Sequence, residues 1–233
     1  MDFLADVIED AVAFLTDSGG ELGEVVLLTL VIALVATAIG VGIGVPFGVW
    51  LGLTEIRGRS LVWTLVNVGM GIPPVLVGLF VLLLLWSDGP LGSLSILFTP
   101  VAMVIVQVIL AIPIAAGITA GSVASLSPDA REQLDALHLP PIRRTGVVVR
   151  EVWPGVAAAV AAAFGRVVSE VGAVLIVGGN ILGETRVLTT AIVQETRQAR
   201  FGAALALGFV LLIIAFAVNG TLTWLQFRER GVG

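Results

Sequence analysis

The chain contains no cysteine, no lysine and a single histidine, and each shortage removes a class of chemistry. Without cysteine there is neither a disulfide framework nor a thiolate metal site. The lone histidine, His138, cannot assemble a metal cluster by itself. All twelve basic residues are arginine, so a Walker-type phosphate loop, whose lysine sits against the terminal phosphates, is excluded whatever the glycines do. If ATP drives this protein, another subunit hydrolyses it. Charge is scarce as well, at 12% of the 233 residues. No stretch gathers arginine into a face that would track phosphates, so nucleic acid is not an expected partner. Neither H-E-x-x-H nor G-x-S-x-G occurs, and no cluster of acids lies within an apolar stretch. An intramembrane enzyme is therefore left without catalytic equipment.

What is abundant is apolar surface. Hydrophobic residues make up 58% of the chain and the mean hydropathy is +1.08, well above that of an average soluble domain, so lipid is the expected solvent. Phe3, Leu4, Val7, Ile8, Ala11, Val12 and Leu15 recur at helical spacing, with Asp2, Asp6, Glu9 and Asp10 on the other face. That pattern predicts an amphipathic helix over 1–18 lying in the membrane interface and ended by Gly19-Gly20. The first residues lack the basic region of a secretory signal, so the N-terminus is expected to be retained. Five apolar stretches follow, near 25–53, 61–86, 101–124, 156–177 and 203–225, each reaching the ~20 residues that cross a bilayer.

Arginine sets the expected orientation. Arg57 and Arg59, then Arg131, Arg143, Arg144 and Arg150, then Arg228 and Arg230 fall on one side if five spans alternate, and that side is cytoplasmic by the positive-inside rule. The acidic N-terminus is then outside and the C-terminus inside. Glycine and proline interrupt the spans, most densely at Met70-Gly71-Ile72-Pro73-Pro74. They read either as packing notches or as a kink in a helix that lines a pathway. No internal repeat stands out, and 1–233 reads as one domain.

The longest connection on the arginine-rich side, 126–155, has the signals of folded structure. Ser127 is a good N-cap, Pro128 suits the first helical position and Asp129 complements the helix dipole. A short helix is expected to run to about His138, with Pro140-Pro141 stopping it and a second helix over 142–152. A capped helix pair on a protein that cannot bind ATP reads as a docking element for a partner, which a passive channel or scaffold would not need.

Within that helix, Glu132-Gln133-Leu134-Asp135-Ala136-Leu137-His138 resembles the E-A-A-x-x-x-G motif in the coupling loop of ABC importer permeases. Gln-Leu replaces Ala-Ala and His138 replaces glycine, which puts the turn at His138 in question because glycine enters positive φ freely and histidine does not. Downstream, Gly165-Arg166-Val167-Val168-Ser169-Glu170-Val171-Gly172-Ala173-Val174, Val177-Gly178-Gly179-Asn180, Thr185-Arg186-Val187-Leu188-Thr189-Thr190-Ala191-Ile192 and Glu195-Thr196 are similar to the tungstate branch of the tungstate and molybdate permeases. The resemblance implies an all-α integral membrane protein with five transmembrane helices of the type I ABC importer kind in a prokaryotic cell membrane. It implies a homodimer with the path at its interface and an extracytoplasmic oxyanion-binding protein at the outer loops. Two ATP-binding subunits would grip Glu132, Gln133, Leu134, Asp135, Ala136 and His138. ATP and magnesium would belong to those subunits, with no cofactor on this chain. Tungstate and molybdate are both tetrahedral dianions, so the choice between them is expected in the binding protein.

The candidate path residues have their own physics. Arg166 and Glu170 are four apart in the fourth apolar stretch, on one face of a continuous helix, with Ser169 beside them. Ionisable groups at membrane depth cost ~2.5–3.5 kcal/mol on insertion scales and are tolerated in a protein interior or a wet cavity. The pair fixes helix packing, or Arg166 lines an oxyanion path with Glu170 orienting it; the two roles are compatible. Gly178, Gly179 and Asn180 end the stretch, and Thr185, Thr189 and Thr190 offer hydroxyls in a following loop. That loop reads as a gate, a docking surface or plain surface.

Overall fold

The computed structural model describes residues 2–17, 19–55 and 57–228. Arg230, counted above toward orientation, lies outside the described residues. Regular structure among the described residues is helical, beginning with α1 (Asp2–Asp17), α2 (Gly19–Leu53), α3 (Arg59–Gly71), α4 (Pro74–Leu85) and α5 (Pro100–Ala124). The connection after α5 holds α6 (Pro128–Ala136) and α7 (Pro141–Glu151), followed by α8 (Trp153–Val168), α9 (Gly172–Gly178), α10 (Leu188–Arg197) and α11 (Phe201–Arg228). The helices α2, α5 and α11 are long and apolar enough to cross a membrane, and the count reaches five if the bent pairs α3–α4 and α7–α8 each form one span.

Two of the expected spans are not single helices. The stretch 61–86 is α3 and α4, set at 94° to each other. Pro73 and Pro74 remove two backbone donors, and Ile72 takes the extended conformation (φ −61°, ψ 132°) that a residue before proline prefers. The stretch 156–177 also breaks: α8 ends at Val168, Ser169 to Val171 leave the helix, and α9 begins at Gly172. No proline marks this second break.

The chain divides into two compact units, the first drawing on described residues within Met1–Ala36, Pro73–Gln107 and Val167–Val218, the second on those within Thr37–Ile72, Val108–Arg166 and Asn219–Gly233. In the first unit, α1 packs on the start of α11. Phe3 meets Phe201 edge-on at 6.2 Å, and a β-carbon on Gly202 would fall 2.4 Å from that of Asp10. Ala11 is buried and Phe14 packs on the cluster of Val25, Leu188, Ala191 and Leu207, whereas Leu4, Ile8, Val12 and Leu15 remain exposed, a face suited to a membrane interface. The helices α4 and α9 close on each other through Gly78, whose added β-carbon would lie 2.7 Å from Ala173 Cα, and Gly172, which faces Val75.

In the second unit α2 and α5 are held by small residues. Lipid is as apolar as leucine, so helices in it associate through close van der Waals contact rather than through water exclusion. Gly40, Gly44, Gly48 and Gly52 recur every fourth residue and line one face of α2. An added β-carbon at these positions would fall 2.5 Å from Ala111 Cβ, 2.7 Å from Ile112 O, 2.5 Å from Ala116 O and 2.6 Å from Val123 Cβ. Gly42, two residues away, has nothing within 4 Å. A second contact brings Gly69 of α3 against Pro113 inside α5. At one end of this unit Val45, Val49, Val123, Leu134, Val148, Val152 and Val156 form a buried cluster, so α6 and α7 pack on α2, α5 and α8 rather than hang from them.

Candidate functional site

The first candidate constellation is α6 and the turn after it. Ser127 Oγ accepts the Ala130 N–H at 3.2 Å and Pro128 occupies the first turn, satisfying donors that a helix start leaves free. Glu132, Gln133, Asp135, Ala136 and His138 are exposed, while Leu134 is buried in the valine cluster. Leu134 therefore anchors the helix from below, and its neighbours form the outward surface. Leu137 and Ile142 extend that surface, with Ile142 89% exposed. Asp135 pairs with Arg144 of α7, fixing the two helices to each other.

His138 takes φ +45°, so it occupies the left-handed conformation expected to resist it. Its Nδ1 donates to the Ala136 carbonyl at 2.8 Å, which offsets part of the ~1–2 kcal/mol that this conformation costs an L-residue. The turn of a glycine is thus made by a histidine.

Beneath α6 lies a residue whose role the sequence did not reveal. Arg131 Nη2 donates to the carbonyls of Gly52 (3.4 Å), Val123 (3.1 Å) and Ala124 (3.2 Å). These are C-terminal carbonyls of α2 and α5 at the negative ends of two helix dipoles; the Val123 carbonyl also accepts the Leu126 N–H at 3.2 Å. Arg59 Nη2, from the first turn of α3, reaches the same Gly52 carbonyl at 3.3 Å.

The second constellation surrounds the break between α8 and α9. Arg166 is half-buried in the last turn of α8, Ser169 is exposed in the break, and Glu170 is 7% exposed and non-helical. The expected shared helix face of Arg166 and Glu170 does not exist, because the helix stops between them. The groups freed by the break are met within the first unit. Gln107 Nε2 donates to the Val167 carbonyl at 3.2 Å, Glu170 Oε1 accepts the Ala173 N–H at 3.0 Å, and Thr189 Oγ1 donates to the Glu170 carbonyl at 3.0 Å. The adjoining cavity, lined by Thr29, Gln107, Glu170 and Thr189, measures about 10 Å³, room for one water. Gln107 could have been suspected from sequence as an amide in an otherwise apolar span.

Thr189 and Thr190 do not lie in a loop but begin α10, and both are buried. Thr190 Oγ1 donates to the Val187 carbonyl at 3.0 Å, so both hydroxyls are engaged inside the fold. Gly178 is buried, Gly179 ends α9 at φ +73°, and Asn180 follows at φ +56°. Thr185 ties this turn by donating to the Gly178 carbonyl at 2.5 Å and accepting the Ile181 N–H at 2.9 Å. A cavity of about 360 Å³ near Arg186 is lined by Glu21, Glu24 and Glu184, three carboxylates against one guanidinium. Its net charge does not suit an anion.

Apolar helices interrupted at Ile72-Pro73 and at Ser169 to Val171, the second break capped by side chains, together with an exposed helix pair packed on α2, α5 and α8, suit a membrane transport subunit. A family model, described as the binding-protein-dependent transport system inner membrane component, matches residues 44–231. The chain belongs to this family of ABC importer permeases. Membership makes it a membrane-spanning, non-enzymatic subunit that works with separate ATP-binding subunits and a substrate-binding protein. The probable anion ABC transporter permease protein of Haloferax volcanii is 41% identical over 193 residues, covering 81% of this chain and 82% of the relative. The tungstate uptake system permease protein of Peptoclostridium acidaminophilum is 33% identical over 230 residues, covering 97% and 99%. The crystal structure of a bacterial ABC transporter that imports the acidic polysaccharide alginate has the same fold, with a TM-score of 0.70 at 20% identity over 94% of this chain and 83% of that one.

Proposed function

We propose that two copies of this chain form the translocation path of a tungstate importer, each as one permease domain embedded in lipid, with the N-terminus outside and the C-terminus in the cytoplasm. An ATP-binding subunit docks on each α6 at Glu132, Gln133, Asp135, Ala136 and His138, and an extracytoplasmic binding protein delivers the oxyanion. ATP and magnesium are used by the ATP-binding subunits alone. Closure of that pair moves α6 and switches the spans between outward and inward access. Arg166 faces the path and offsets the dehydration of a dianion, and the turn at Gly178, Gly179 and Asn180 forms part of its outer gate.

The observation that carries the driven mechanism is the exposed surface of α6, capped by Ser127 and anchored by Leu134 on the helices it would move. The substrate reading rests on the likeness to the tungstate permease over nearly the whole chain. The test is mass-detected tungstate uptake by cells with and without the gene, at equal abundance of the binding protein and ATPase. Loss of tungstate uptake on deletion is the expected result. Unchanged tungstate uptake, or uptake that persists without ATP, would overturn it.

A further inference from the structure

The geometry points to Arg131 as the positioning residue through which α6 drives the membrane helices. This inference rests on the coupling role proposed above for α6. Three observations carry it. Arg131 sits in the exposed helix, yet its guanidinium turns inward, and one terminal nitrogen gathers carbonyls from the ends of two different spans. Within the second unit, residues 40–52 of α2 and 111–123 of α5 are locked by the Gly40, Gly44, Gly48 and Gly52 contacts, so a displacement at their ends moves these two segments together. Arg59 brings α3 to the same Gly52 carbonyl, and α3 itself rests on α5 through Gly69 and Pro113. A push on α6 therefore reaches α2 and α5 through one charged, multidentate contact, and α3 through the shared Gly52 carbonyl. The apolar cluster at Leu134 can slide, whereas a cation held at two helix C-termini is directional and charge-assisted.

Arg59 supplies the control, because it caps the same carbonyl from outside α6. If Arg131 only satisfied carbonyls, removing it would cost stability, more than removing Arg59 with its single carbonyl, and would leave the coupling ratio unchanged. If it transmits motion, only Arg131 matters for coupling. The assay is the assembled transporter in vesicles, read as tungstate taken up per ATP hydrolysed, with variants Arg131→Met, Arg131→Lys and Arg59→Ala. Methionine keeps an aliphatic stem and removes the donors, and lysine restores a single cationic donor centre, which is all the contact uses.

Arg131→Met is expected to lower the ratio roughly tenfold, within the range of measured coupling energies, with Arg131→Lys recovering most of it and Arg59→Ala near wild type. A wild-type ratio for Arg131→Met, or an equal fall for Arg59→Ala, overturns the inference. Should Arg131→Met fail to insert, hydrogen exchange of the native complex decides it. Exchange over Gly52 to Glu55 is expected to change when a non-hydrolysable ATP analogue closes the ATPase, and no change overturns the inference. Cross-linking from Gln133→Cys to the ATPase separates the two levels, since the chain has no other cysteine. No cross-link in the wild-type background defeats the coupling role of α6 itself, whereas a cross-link with an unaltered ratio in Arg131→Met defeats only the role of Arg131.

Discussion

Gly48 and Gly42 lie on the same helix, six residues apart, and the structure assigns opposite signs to the same substitution at each. An added β-carbon at Gly48 would lie 2.5 Å from the Ala116 carbonyl oxygen and 2.8 Å from Thr119 Cβ. Backbone oxygen cannot swing aside, so α2 and α5 must part by about 1 Å to restore ordinary separations near 3.5 Å. That movement also loosens the contacts at Gly44 and Gly52. Alanine gains ~1 kcal/mol over glycine in helix propensity, but overpacking costs ~1–3 kcal/mol, and the loosened neighbours add to the cost. Gly48→Ala is expected to destabilise by ~1–2 kcal/mol. Gly42→Ala meets nothing within 4 Å and keeps the propensity gain. The two variants should differ by ~2–3 kcal/mol, or roughly 5–10 °C at the ~2–4 °C per kcal/mol of a domain this size. Thermal loss of the monodisperse peak in detergent, or of tryptophan fluorescence, measures the difference. A Gly48→Ala protein as stable as Gly42→Ala would refute the close α2–α5 contact.

Leu134→Ala removes the anchor of α6 from the valine cluster and should cost ~2–5 kcal/mol locally, seen as faster proteolysis of 126–155 with the spans still inserted. His138→Gly relieves a left-handed strain of ~1–2 kcal/mol, so α6 should become harder to cleave; equal or faster cleavage would show that the Ala136 contact outweighs the strain. Glu170→Ala deletes the acceptor of the Ala173 N–H and should destabilise by ~1–3 kcal/mol, with Glu170→Gln milder because its amide oxygen still accepts; equal losses would deny the capping role. Under the proposed orientation, Ala130→Cys reacts with a membrane-impermeant maleimide only from the cytoplasmic side, and labelling from outside would invert the topology.

Sequence patterning exposed what depends on local rules. The amphipathic α1, the long α2, α5 and α11, the Ser127 cap and the Pro73-Pro74 break all follow from periodicity, capping chemistry or proline. The break at Ser169 was hidden because nothing local demands it; it is held open by Gln107 and Thr189, residues distant in sequence. For the same reason the fourth apolar stretch read as one helix with Arg166 and Glu170 on a single face. Likewise, the helical state of Thr189 and Thr190 in α10 is not evident from sequence, because the partner of Thr189, the Glu170 carbonyl, lies nineteen residues away. Arg131 counted only as a positive charge on one side, since hydrogen bonds to carbonyls of two other helices leave no trace in the sequence around it. The four-residue period of Gly40, Gly44, Gly48 and Gly52 becomes a close contact only where α5 sets Ala111, Ala115 and Ala116 opposite them.

The break between α8 and α9 also bears on how the chain is made. Its three capping bonds come from Gln107, Glu170 and Thr189. During synthesis, Gln107 enters the bilayer before the break exists, but Thr189 follows it by about one helix length. Until that residue arrives, the Glu170 carbonyl lies at membrane depth without the hydroxyl that meets it in the finished fold, a state lipid penalises by several kcal/mol. The segment from α8 through α10 is therefore best released from the insertion machinery as a unit. A stalled chain ending between Val171 and Leu188 should be held at the translocon or degraded, whereas one ending just beyond α10 should integrate.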